Sequence, residues 1–215
     1  MKVIVIIPAY NEAERIGAVI GAAKACREVD DILVVDDGSK DDTVEAAKEY
    51  GVNVLALSHN IGKGGAMWSA IMATDADVVV FIDADLQGLR PKHLAALIRP
   101  MREDETLDMT AGRFTGGRMA TDMSQKFMPS INSQRAIKRS LLLKVPDFSK
   151  SRFGVETIIN EYIKKNGANV LEVQLAGVSH VMKEEKDGLV KGASERAKMY
   201  GDIIKSKVKK QEPKK

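Results

Sequence analysis

The chain has 215 residues, 44% of them hydrophobic, and a formal net charge of +3. That length fits one domain with a substantial core, and no apolar run approaches the ~20 residues a membrane-spanning helix needs. The single cysteine, Cys26, excludes an internal disulfide and fits a reducing cytoplasm, where it reads as a small buried side chain.

In chain order, apolar strands alternate with helical patterns. "KVIVIIPAY" is predicted as a first strand, not a signal peptide, because it runs straight into a turn without a small-residue cleavage site. A helix follows, expected to be capped by Asn11 with Glu14 three residues on, and with Ile16, Val19, Ile20 and Ala23 on one face. "DILVVDDGS" is the second strand, and "KDDTVEAAKEYG" a short helix ended by Gly51. "VNVLALS", "GGAMWSAIMAT" and "DVVVFIDAD" supply strand, helix and strand, and "RPKHLAALIRPM" a helix with Pro91 in its first turn. This order predicts an α/β fold, a parallel sheet with helices on both faces. Beyond "DETLDMTAGRF" the pattern loosens: residues 115–148 mix glycine, polar and basic residues and predict loops with one long helix. "GVETIINEYIKKNG" is a further helix, and "ANVLEVQLAGVSHVM" one or two strands. The last eleven residues, "KSKVKKQEPKK", carry six lysines and one glutamate, which leaves the rest of the chain at −2. They read as the frayed end of a docked helix, with contact to anionic lipid as the competing expectation.

In open α/β sheets ligands bind beyond the carboxyl ends of the strands. Each such end here is polar: "PAYNE", "DDGSKDDT", "HNIGKGGA" and "DAD". Any one of them could be a turn built from turn residues; four on one edge point to a site. A G-x-G-x-x-G is absent after the first strand, which argues against a dinucleotide fold. "NIGKGGA" fails as a triphosphate loop, because Leu57 and Gly64 stand where glycine and Ser/Thr are required. The buried run Val78–Ile82 ends in Asp83 and Asp85, with Ala84 between them. Two like charges so close call for a cation, and hard ions such as Mg²⁺ or Mn²⁺ combine carboxylates with substrate phosphates.

"PAYNE", "VVDDGSKDDT", "GKGGA" and "DADLQ" resemble the motifs of GT-A fold glycosyltransferases of the broad family 2 type, over nearly the whole chain except the tail. Within that group, "GKGGAMWSAIMATDADVVVFIDADL", "GGR" at 116–118, "FGVE" at 153–156 and "GVSH" at 177–180 are similar to the glucosyl-3-phosphoglycerate synthases. The first half is also similar to dolichyl-phosphate mannose synthases. The resemblance implies a Rossmann-like, mostly parallel sheet in a single domain over residues 1–204. Its first part, 1–88, would bind the nucleotide sugar and 89–204 the acceptor, with 205–215 as a basic tail.

The resemblance also implies roles for individual residues. Pro8, Ala9, Tyr10 and Glu12 would hold the nucleobase and ribose, and Asp37 would touch the base. Lys63, after Gly62, would face the diphosphate. Asp83, with Ala84, would face the ribose or metal, Asp85 would be the direct ligand, and His180 would complete the metal site. Glu156 would sit near sugar and acceptor as the catalytic carboxylate, unless it only favours the positive end of its helix. Gly117, Arg118 and Thr121 would contact the acceptor, although Ala120 stands where the family pattern has threonine. His59 and His93 read as loop and helix-surface residues, Arg135 as one face of a basic helix, and Trp68 as core.

The expected activity is metal-dependent transfer, with Mg²⁺ or Mn²⁺, of a sugar from UDP-glucose, or GDP-mannose behind it, to a phosphorylated acceptor such as 3-phosphoglycerate. The competing acceptor is a polyprenyl phosphate at the membrane surface. A nucleotidyltransferase and a non-catalytic nucleotide-sugar binder are the readings from other classes. The expected setting is cytoplasmic, with peripheral membrane contact through the tail as a variant; a homodimer is the expected self-association, and nucleic acid is no expected partner.

Overall fold

A computed structural model describes residues 1–116, 133–152 and 154–181. In order the elements are β1 (Val3–Ala9), α1 (Ile16–Lys24), β2 (Asp31–Asp36), α2 (Thr43–Glu49), β3 (Asn53–Ala56), α3 (Lys63–Ala73), β4 (Val78–Phe81) and β5 (Leu86–Gln87). They continue with α4 (Pro91–Glu103), β6 (Met109–Thr115), β7 (Arg135–Lys138), α5 (Arg139–Leu142), α6 (Val155–Lys165), β8 (Val170–Ala176) and β9 (Ser179–His180). Met1–Ser179 is the compact unit that carries the sheet; His180 opens the second unit, of which only His180 and Val181 are described.

Seven strands form the main sheet in the order β3-β2-β1-β4-β7-β6-β8, and β5 pairs with β9 in a small second sheet. All pairings in the main sheet are parallel except those of β7, which runs antiparallel to both β4 and β6. The uninterrupted runs of β1, β2 and β4 follow from burial on both faces. Val3, Val5 and Ile7 pack with Val78, Val80, α1 and α4 on one side, while Ile4, Ile6, Val79 and Phe81 pack with α3 and α6 on the other. The α/β fold with a mostly parallel sheet and helices on both faces is therefore as expected.

Three local expectations are corrected, those for Asn11, Arg135 and His93. Asn11 does not cap α1, whose N-cap is Arg15 with no side-chain hydrogen bond. Asn11 instead takes a positive φ of 56°, accepts from the Lys40 N–H and donates its own N–H to Ser39 Oγ. A short polar side chain that tolerates the left-handed region can bridge two loops better than it can start a helix here. Arg135 lies on β7 rather than on a basic helix, and is 2% exposed. The described part of the segment expected to hold a long helix gives this strand and the four-residue α5. Helical propensity yields there to the antiparallel slot beside β4, whose Phe81 pairs with Arg135. His93 is buried at 4% exposure, its Nδ1 accepting from the Arg90 N–H at the start of α4. Burial, then the nearby Lys92 and Arg90 charges, lower its pKa. Trp68 is part-buried and packs edge-on against Phe148, with ring centroids 5.1 Å apart.

Candidate functional site

The polar strand ends meet along one edge of the sheet, stitched together by their own side chains. The loop after β1 binds the loop after β2 through Asn11, through the Glu12 N–H on Thr43 Oγ1 (2.9 Å), and through the Ala13 N–H on Asp41. Pro8 and Ala9 are the last residues of β1; Tyr10 projects at 42% exposure while Glu12 is buried beside Arg15. Asp37, just beyond β2, accepts from the Ile61 and Gly62 N–H groups at 2.8 and 2.9 Å. Burial raises its pKa and these two donors partly offset the rise. Asp37 thus ties β2 to the entrance of α3.

The glycines around Lys63 have a packing reason. A Cβ at Gly64 would lie 2.2 Å from the Ser151 carbonyl oxygen, and one at Gly62, where φ is 90°, would lie 2.8 Å from Arg152 Cα. The 148–152 loop therefore rests directly on the first turn of α3, with the Gly64 N–H donating to the Ser151 carbonyl. Lys63, the first residue of α3, is directed along the sheet edge. Its ammonium donates to Asp83 Oδ1 (2.8 Å) and Ser133 Oγ (2.6 Å), and pairs with Glu156 Oε1 at 2.8 Å. Ser133 also donates to Glu156 Oε1, at 2.6 Å. Burial alone would lower the Lys63 pKa, but the Asp83 and Glu156 carboxylates outweigh it and the net shift is upward. Burial would likewise raise Glu156; Lys63, the Ser133 hydroxyl and Arg135 together bring it down to about 2.

Beyond β4, Asp83 and Asp85 flank the buried Ala84. Leu86–Gln87 then pair with Ser179–His180, an approach that Gly88 and Gly177 permit: a Cβ at Gly88 would meet the Gly177 carbonyl oxygen at 2.2 Å. Asp83, Asp85 and His180 each offer one ligand atom, all within 4.8 Å of one another. Two carboxylate oxygens and an imidazole nitrogen, partly exposed, suit Mn²⁺ or Mg²⁺ with coordination positions left for substrate oxygens. The chemistry of this donor set fits the cation that the resemblance implies.

Three neighbours escaped sequence reasoning. Ser133, Gln134 and Arg135 enter β7 with 5%, 0% and 2% exposure, beside the end of β4. Strand alternation sends Ser133 and Arg135 to the α6 side, where Arg135 donates to Asn160 Oδ1 (2.9 Å), and leaves Gln134 to donate to Asp83 Oδ2 at 2.9 Å. The available signal was three polar residues directly before the apolar pair Ala136–Ile137; a helix assignment concealed it. Gly117, Arg118 and Thr121 lie outside the described residues, as does the 205–215 tail.

A family model described as glycosyl transferase family 2 matches residues 4–163. The glucosyl-3-phosphoglycerate synthase of Petrotoga mobilis is 28% identical over 192 residues, which cover 73% of this chain and 58% of that protein. The undecaprenyl-phosphate 4-deoxy-4-formamido-L-arabinose transferase of Sodalis glossinidius is 34% identical over 113 residues, 48% of this chain and 34% of that protein. This chain thus spans little more than half the length of the first relative and a third of the second. A crystal structure of the Mycobacterium tuberculosis glucosyl-3-phosphoglycerate synthase, in complex with Mn²⁺, UDP-glucose and phosphoglyceric acid, superposes with a TM-score of 0.68 at 26% identity. The match covers 84% of this chain and 72% of that one. The sheet, the converging carboxylates and the family match lead to one assignment: the chain belongs to glycosyl transferase family 2.

Proposed function

We propose that the chain transfers glucose from UDP-glucose to a small phosphorylated acid such as 3-phosphoglycerate, with Mn²⁺ or Mg²⁺ held by Asp83, Asp85 and His180. The observation that carries this reading is the convergence of those three ligand atoms within 4.8 Å, beside the Lys63–Glu156 pair, at the carboxyl edge of the sheet. The relatives that bind or make such compounds support it.

When bound, the cation would supply Lewis-acid stabilisation to the diphosphate leaving group. The protein's own groups do the rest. Pro8, Ala9, Tyr10, Glu12 and Asp37 frame the uridine end, where the exposed Tyr10 ring offers a face to the base. Lys63 is a charged donor beside Asp83, positioned to meet negative charge as it develops on the diphosphate. Glu156 is held ionised at about 2 by Lys63 and Ser133, so at neutral pH it is a poor proton acceptor. Its fitting role is to accept a hydrogen bond from the acceptor or sugar hydroxyl and so orient it. Arg118, preceded by Gly116 and Gly117 and followed by Thr121, is the proposed acceptor-phosphate contact by its sequence alone.

A polyprenyl-phosphate acceptor is the second reading, favoured by the undecaprenyl-phosphate relative and the lysine-rich 205–215 segment. UDP release from UDP-glucose with Mn²⁺, measured with each acceptor, separates the two. The first reading expects turnover with 3-phosphoglycerate, indifferent to deletion of residues 205–215. Turnover only with a polyprenyl phosphate in anionic vesicles, reduced by salt and by that deletion, contradicts it. Arg118→Ala should weaken the acceptor and spare UDP-glucose; unchanged acceptor kinetics contradict its assignment.

A further inference from the structure

We propose that Gln134 is a positioning residue for the divalent cation, acting through Asp83, an inference that rests on the metal reading above. Both oxygens of Asp83 accept from a donor. Lys63 Nζ reaches Oδ1 at 2.8 Å and Gln134 Nε2 reaches Oδ2 at 2.9 Å. Two donors on opposite oxygens fix the carboxylate plane, and each oxygen keeps lone-pair capacity for a cation. The two donors differ in stiffness. Lys63 is a flexible side chain on the first turn of a helix, with Glu156 and Ser133 competing for its ammonium. Gln134 is fully buried and anchored by the strand pairing in which Phe81 faces Arg135, one residue along.

The neutral amide is also the required chemistry. Lys63 and Arg135 bring two positive charges to this part of the edge against the negative charges of Asp83, Glu156 and the neighbouring Asp85, an excess that suits a cation. A carboxylate at 134 would repel Asp83 and compete for the cation; a cation there would oppose metal entry. An amide donor orients Asp83 without changing that excess. Groups that hydrogen-bond metal ligands typically contribute 10–100-fold to metal affinity.

The test is Mn²⁺ binding to the full chain without donor or acceptor, followed by electron paramagnetic resonance of free Mn²⁺, for wild type, Gln134→Met and Gln134→Glu. Gln134→Met keeps the volume and removes the donor, which limits unfolding; thermal melting and UDP binding without metal check the fold. The inference expects Gln134→Met to weaken Mn²⁺ at least tenfold while metal-free UDP binding stays within about twofold. Gln134→Glu should shift Mn²⁺ affinity by a different factor from Gln134→Met, because it replaces a donor by a charge. Mn²⁺ affinity within twofold of wild type in a folded Gln134→Met overturns the inference and leaves the metal reading intact. A wild-type chain that binds no Mn²⁺ overturns both.

Discussion

Glu156 illustrates how one side chain can look structural and chemical at once. Its position in the first turn of α6 would satisfy a helix dipole, yet its carboxylate points to Lys63 and Ser133. Its pKa in the folded chain is about 2 against an ordinary 4.5. A depressed carboxyl pKa contributes stability that is complete above the unfolded value and is lost as pH falls through the folded one. Wild type should therefore lose roughly 3 kcal/mol of unfolding free energy through this group between 4.5 and about 2. Glu156→Gln should remove that slope, seen in urea unfolding measured across this range. It should also lower sugar transfer far more than UDP-glucose affinity. A variant with the wild-type acid slope would contradict the pairing, and equal loss of donor binding would make Glu156 a donor contact. Asp83 and Asp85 stood out in the sequence because charge after a buried strand is costly without a counter-ion. Ser133, Gln134 and Arg135 were not legible, since nothing in "NSQRAIKR" distinguishes a half-turned strand from a basic helix until β4 supplies its partner.

Two glycine-permitted contacts set the elements around the site. The 148–152 loop sits on α3 through Gly64, and the β5–β9 approach depends on Gly88 facing the Gly177 carbonyl. Gly88 adds a positive φ of 73° to a 2.2 Å Cβ contact, whereas Gly51 has a similar φ of 64° with open space around it. Gly51→Ala should cost about 1 kcal/mol, the conformational term alone. Gly88→Ala should cost clearly more and weaken Mn²⁺ binding as well, because the segment after Asp85 must shift. Thermal melting and Mn²⁺ titration of both variants test this; equal costs with unaltered Mn²⁺ affinity would contradict it. Strands β1, β2 and β4 were legible as unbroken apolar runs, and α2 and α4 by their terminating glycine and opening proline. The start of α1 was misread because Asn11 fits a cap equally well, and only the neighbouring loop decides that it bridges to Ser39 and Lys40 instead.

At the scale of the molecule, the parallel half of the sheet gathers the loops after β1, β2 and β3, and the reversed strand β7 closes the edge beside Asp83. The burial of His93 belongs to this scale, since it is α4 lying against the sheet that hides a residue whose local sequence reads as surface. No helix among the described residues is long and apolar enough to cross a membrane. In the proposed function this edge holds a divalent cation through Asp83 and Asp85, and the cation strengthens donor binding. Calorimetric titration of UDP-glucose into wild type and Asp85→Ala, each with Mn²⁺ and with chelator, tests it most directly. Wild type should bind strongly with Mn²⁺ and lose at least tenfold with chelator, and a folded Asp85→Ala should show a comparable loss that Mn²⁺ does not restore. Equal UDP-glucose affinity in all four titrations would contradict it.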